Sequence, residues 1–208
     1  TLADALVHDA PGEAGDAHWN EEAKALIAGI LLHIVTTEPP ATRTLETLRD
    51  RLTLAPAALA AQLAAMQAQG GLVARAANRQ LGKSDREAAG VLSAAQRHTH
   101  FLDSPRMATV LGRSDFTFAG LKDAPATVFL VLPPDRLASY ARWLRLMVAQ
   151  ALTELARAPG RPPWPVLFLL DEFAALGRLE PVERAMGLMA GYGVQLWPIL
   201  QDVHQLRA

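Results

Sequence analysis

Two uninterrupted apolar runs, Thr127–Leu132 (TVFLVL) and Val166–Leu170 (VLFLL), flank a stretch in which Leu137, Tyr140, Leu144, Met147, Ala151 and Leu155 recur at helical spacing. Neither run has a polar face, so each is expected to be a strand covered on both sides. A weaker run, Gln195–Leu200, follows a helical stretch from about Glu180 to Ala190, although Pro198 removes one ladder donor from it. Strand, helix, strand, helix, strand is the order of a parallel α/β sheet.

The residues up to about Phe101 have a different texture. Trp19, Ala23, Leu26, Ile30 and Ile34 lie three to four apart, with Glu21 and Glu22 where carboxylates suit the start of a helix. A second helix is expected after Thr44 as N-cap, and a third from Pro56 to the Gly70-Gly71 pair. Ser84-Asp85-Arg86-Glu87 has capping-box spacing and opens a fourth, running to about His98. The expected architecture is thus a helical bundle followed by part of a parallel sheet, with domains at 1–108 and 109–208.

With 208 residues, half of them hydrophobic, and no cysteine, the chain has the apolar content for a core and is neither a disordered tract nor a disulfide scaffold. A net charge of −1 gives no whole-surface attraction for nucleic acid, though a local basic groove stays open. The longest apolar stretch, Ala25–Val35, contains His33 and is far short of the ~18–20 residues that cross a bilayer. The chain is therefore expected to be soluble. Its first residues have neither a basic n-region nor an initiator Met, so it reads as a piece of something longer.

The sharpest chemical signal is the acidic pair Asp171-Glu172 directly after Val166–Leu170. A buried parallel strand delivers the residues after it to the carboxyl edge of the sheet, where α/β folds bind ligands. In nucleotide hydrolases this is the Walker B arrangement: the Asp holds Mg²⁺ through its water shell, and the Glu polarises the attacking water. Alone, the pattern equally suits an Asp-Glu that caps a turn. Gln201 comes after the third apolar run and should emerge at the same edge, where it could contact a γ-phosphate or open a turn.

Three other features have plainer readings. Gly82-Lys83-Ser84 ends like a phosphate loop, but GxxxxGK[ST] needs glycine where Ala77 stands, so a turn with a capping serine is expected. Thr44–Arg75 has the cadence of a helix-turn-helix with a small wing; its second helix offers Gln62, Gln67 and Gln69 but no Arg or Lys for guanines or phosphates. His98, His100 and Asp103 lack a further clustered ligand and read as a helix end rather than a metal site.

The segment from Leu170 to Ala208, LDEFAALGRLEPVERAMGLMAGYGVQLWPILQDVHQLRA, resembles the Walker B region of type IV secretion coupling proteins, the TraG/TraD-type conjugation ATPases. Those proteins carry LDEF-x-x-LG, a MAGYG-like turn and a Q[DS]-x-x-QL element. HWNEEAKALIAGILLHIV resembles the opening helix of their inserted all-α domain, and FLDSPRMATVLGRSDFTFAGLKDAPATVFLVLPPDRLASYARWLRLMVAQAL the stretch leading back into the motor.

The resemblance implies a hexameric, membrane-anchored P-loop ATPase at the cytoplasmic face of the bacterial inner membrane. Its RecA-like motor domain would be interrupted by the helical domain, and it would link relaxase-bound DNA, relaxosome or effector-adaptor proteins to a secretion channel. It further implies Asp171 as the acid that holds Mg²⁺ via water, Glu172 as the water-activating base and Gln201 as phosphate sensor, with ATP as nucleotide. No Walker A is present, so this chain alone is not expected to hydrolyse ATP. In some members an arginine finger precedes the third strand; here Ala190 and Gly191 occupy that place, with Arg178 and Arg184 nearby. A non-catalytic helical module docking relaxase or adaptor proteins is the alternative function, and a winged-helix DNA-binding regulator a further one.

Overall fold

Side-chain caps and a proline start three helices of the first half where the sequence places them, after Thr44, at Pro56 and after Ser84. The computed structural model describes residues 1–8, 17–177 and 179–206, with the backbone alone at Glu180, Arg184, Val203 and Leu206. Its first compact unit spans residues 3–8 and 17–114. Its helices are α1 (Leu2–Leu6), α2 (Ala17–Thr37), α3 (Leu45–Leu52), α4 (Pro56–Gln69), α5 (Gly71–Leu81), α6 (Asp85–Thr99) and α7 (Pro105–Leu111). Thr44 Oγ1 accepts from the Thr47 amide at 3.1 Å, and Ser84 Oγ from the Glu87 amide at 3.3 Å, each satisfying a donor that the first helical turn leaves open. Pro56 opens α4 at the position where a missing N–H costs nothing.

Helix α2 is the axis of this unit and packs against α5 and α6. Ile27, Ile30 and Ile34 are fully buried with Leu48, Leu52, Met66, Val73, Ala77, Val91 and Ala95. At Gly29 the helices approach so closely that a Cβ would stand 2.3 Å from that of Ala76.

Opposite charges fasten the same helices. Glu22, 8% exposed, accepts from Arg79 Nε at 2.9 Å and lies 2.8 Å from Lys83 Nζ, which also reaches Glu87 at 2.9 Å. The lysine of the phosphate-loop look-alike is therefore a helix fastener. The small wing expected within Thr44–Arg75 is corrected: the chain from Gly71 to Leu81 is helical, because Val73, Ala77 and Gln80 form a buried stripe at helical spacing.

The second unit spans residues 115–206; the sequence placed the boundary at 108/109, within α7. It contains α8 (Leu137–Arg157), β1 (Val166–Leu170), α9 (Glu180–Leu188) and β2 (Val194–Pro198). The strands are parallel, with Val166 opposite Val194 and Leu170 opposite Pro198. Val148, Leu152 and Leu155 of α8, Val182, Ala185 and Met189, and the strand residues Leu170 and Val194 form one core. Together the units give the expected class, a helical bundle and part of a parallel sheet.

Two expectations for the strands are corrected. Thr127–Leu132 pairs with no strand among the described residues, since a β-ladder needs a second segment in register and only β1 and β2 supply one another. The run keeps a strand-like alternation, with Phe129 and Val131 81% and 77% exposed and Val128, Leu130 and Leu132 half-buried. Nor is β1 covered on both sides. Val166, Phe168 and Leu170 face the core, whereas Leu167 and Leu169 are exposed, because α8 and α9 pack on one face.

Candidate functional site

Strand β1 runs directly into the acidic pair. Asp171 Oδ1 accepts from the Glu172 amide at 3.0 Å, and this tight turn leaves Glu172 at φ 50°, ψ 40°. Among the described residues Glu172 is the one non-glycine with positive φ. That conformation costs about 1–2 kcal/mol for an L-residue and persists where its surroundings fix it, most often at functional sites.

The parallel register brings the chain beyond β2 alongside this turn. The Ile199 amide donates to the Leu170 carbonyl at 2.9 Å, and the Phe173 amide donates to the Ile199 carbonyl at 3.3 Å, so the pairing continues past both strands. Just beyond, Gln201 Nε2 donates to both carboxylate oxygens of Glu172, at 2.8 and 3.0 Å. The Gln201 backbone amide donates to Gln205 Oε1 at 2.8 Å, and Asp202 Oδ1 accepts from the His204 and Gln205 amides at 2.7 and 3.1 Å, which fixes the turn carrying Gln201.

Asp171, Glu172 and Gln201 are all exposed and share the carboxyl edge of the sheet. The arrangement thus presents two carboxylates and one amide, oxygen ligands and a hydrogen-bond donor, to an anionic or cation-bearing ligand. No cluster of three His, Cys, Asp or Glu side chains occurs among the described residues. An oxygen pair of this kind suits a hard cation that keeps most of its waters and takes one or two carboxylates, as Mg²⁺ does. A cleft of about 360 Å³ lined by Arg161, Pro162, Pro163, Gly193 and Gln195 lies at the other edge, where β1 and β2 begin.

The remaining candidates sit in the helical unit and are engaged there. Gln69 links Thr36 and His33 at 2.7 Å each, and Gln67 donates to Asn78 at 2.6 Å. Gln62 is buried. Of the three amides offered for base reading, Gln62 is withdrawn into the unit, while Gln67 and Gln69 are exposed but hydrogen-bonded to neighbouring side chains. His98 is fully buried with Nε2 2.8 Å from Asn20 Oδ1, while His100 and Arg49 both bind Asp103. Ala190 and Gly191 lie in the short helix before β2; Arg178 and the side chain of Arg184 fall outside the described residues.

Sequence reasoning passed over Arg145. It sits on the buried face of α8 among Leu146, Val148 and Ala149, is 4% exposed, and donates through Nη1 to the Leu176 carbonyl, in the short helix just after Glu172. Burial, and secondarily the charge of Arg142, pull its guanidinium down to about 10, so it stays cationic at neutral pH. A cation within an otherwise apolar helical stripe was the signal that could have found it.

Residues 1–208 match the family model described as "Type IV secretory system Conjugative DNA transfer". A conjugal transfer protein TraG of Escherichia coli is 30% identical over 98% of this chain, which spans 35% of that protein. A type IV secretion system-coupling protein VirD4 of Bartonella quintana is 27% identical over 97% of the chain and 32% of its own length. The bacterial conjugative coupling protein TrwBdeltaN70 superposes with a TM-score of 0.74 at 18% identity, covering 99% of this chain and 46% of that one. TrwB has also been solved with the non-hydrolysable ATP analogue ADPNP, again with a TM-score of 0.74.

Proposed function

Since the chain belongs to the family of type IV secretory system conjugative DNA transfer proteins, we propose that it supplies the helical domain and the Walker B half of the motor of a coupling ATPase. The whole protein would recruit DNA–protein or protein substrates to a secretion channel and power their transfer by ATP hydrolysis. The observation that supports this best is the Glu172 carboxylate gripped by Gln201 from the neighbouring strand end.

In this reading a triphosphate lies at the carboxyl edge of β1 and β2, completed by the phosphate-binding loop of the rest of the protein. Water attacks the γ-phosphorus, the bond to the β-phosphate oxygen breaks, and the water's proton passes to the Glu172 carboxylate. Gln201 holds that carboxylate in place and has a second amide hydrogen for a phosphate oxygen, so arrival or loss of the γ-phosphate changes its bonding. Asp171, exposed beside them, would hold Mg²⁺ through its water shell, and that cation supplies charge neutralisation when bound.

The TrwB complex with an ATP analogue supports ATP as the nucleotide. The partners would be relaxase, relaxosome or adaptor proteins together with channel subunits, in a hexamer at the cytoplasmic face of the inner membrane. The lack of any Arg or Lys on α4 favours protein docking by the helical unit over base reading.

The test is Glu172→Gln in the full-length protein. Nucleotide binding is retained and turnover is lost; wild-type turnover in that variant removes Glu172 from the chemistry.

A further inference from the structure

We infer that Arg145 is a positioning residue that holds the turn carrying Glu172 in its working geometry. The inference rests on the reading of Glu172 as the water-activating base, and adds a residue from an element outside the Walker B segment.

The short helix Phe173–Leu176 comes immediately after Glu172, and its last carbonyls have no partner within the helix. Leu176 is 6% exposed, so its carbonyl is shielded from water and needs a donor from the protein. Arg145 provides it, reaching across from α8, against which the short helix packs. A cation is also the group that suits the negative end of a helix.

The need for such a brace comes from Glu172 itself. A left-handed glutamate relaxes unless the chain on both sides is held. On the sheet side it is held by the Phe173 amide on the Ile199 carbonyl, at 3.3 Å. On the far side the Ala175 amide returns to the Glu172 carbonyl at 2.9 Å, and the Arg145 bond to Leu176 ties that helical turn to α8. Take away the guanidinium and the far side keeps only the apolar packing of Phe173 and Leu176, with no hydrogen bond to α8 at its end.

The inference is tested by Arg145→Met, which keeps the length of the stem, and Arg145→Lys, which keeps the charge and one donor. In the 208-residue chain, amide hydrogen exchange at 172–177 should quicken by about tenfold or more in Arg145→Met, be partly restored in Arg145→Lys, and stay unchanged in β1 and α9. In the full-length protein, kcat should fall on the order of 10²-fold in Arg145→Met with KM for ATP within about twofold, because a misplaced base slows chemistry without weakening binding.

Exchange and kcat equal to wild type in Arg145→Met would overturn the inference. So would exchange that quickens equally throughout the unit in both variants, which would make Arg145 a general packing residue. Failure of the underlying reading shows separately, as wild-type turnover in Glu172→Gln.

Discussion

Gln201 and Glu172 stand at the ends of neighbouring parallel strands, and one amide nitrogen of the glutamine bridges both oxygens of the carboxylate, at 2.8 and 3.0 Å. If this amide both orients the base and reads the phosphate, Gln201→Ala in the full-length protein should keep nucleotide affinity within about threefold. Turnover should fall on the order of 10²-fold or more, as is usual when a group that orients proton transfer is removed. Steady-state hydrolysis beside a nucleotide titration separates the two quantities; an equal loss in both would show that Gln201 only binds.

The left-handed backbone of Glu172 trades stability for position. Glycine adopts φ 50° without the side-chain clash, so Glu172→Gly should leave the second unit as stable as wild type or more so, although turnover is abolished. A β-branched replacement, Glu172→Val, should cost about 1–2 kcal/mol. Denaturant unfolding tracked by a probe in the second unit measures both.

In the helical unit, hydrogen bonds from Arg79, reinforced by Lys83, hold the Glu22 carboxyl down at about 2, against the opposing effect of burial. A carboxylate with its folded pKa below its unfolded value stabilises the fold above the unfolded pKa, near 4.5, and loses that contribution as pH falls toward 2. Glu22→Gln should therefore cost about 2–3 kcal/mol at neutral pH. The gap from wild type should shrink between about pH 5 and pH 2. Unfolding curves for the two proteins across that range, subtracted at each pH, give the answer; a constant difference would refute the assignment.

Gly29 permits the close crossing of α2 and α5. With Ala76 Cβ 2.3 Å from where a new Cβ would stand, Gly29→Ala cannot be accommodated without moving one helix. Despite alanine's better helix propensity, the variant should be destabilised by about 1–3 kcal/mol. Thermal or chemical unfolding reads this directly, and Ala76→Gly in the same chain should recover part of the loss.

Much of this was legible in the sequence where the determinants are local. Thr44, Pro56 and Ser84 start helices through bonds or missing donors within one turn, and Val166–Leu170 declares a strand by its uniform apolarity. Gln201 could be placed beside the acidic pair because parallel strands deliver their carboxyl ends to one edge. The features that were not legible depend on distant partners. Thr127–Leu132 has strand composition but lacks a ladder among the described residues. Lys83 resembles part of a phosphate loop until Glu22 and Glu87 are seen beside it. Arg145 has no motif at all, since its role comes from a carbonyl supplied 31 positions away.

The bonds that carry the pairing past the strands, from Ile199 to Leu170 and from Phe173 to Ile199, have a mechanical consequence. Two chain segments leaving a sheet side by side and stitched together resist being slid past one another, since every rung would have to rupture at once. The tips of β1 and β2 therefore behave as a single stiff plate. A tug at Gln201 reaches Glu172 as displacement of the whole plate, not as stretching of a loose linker.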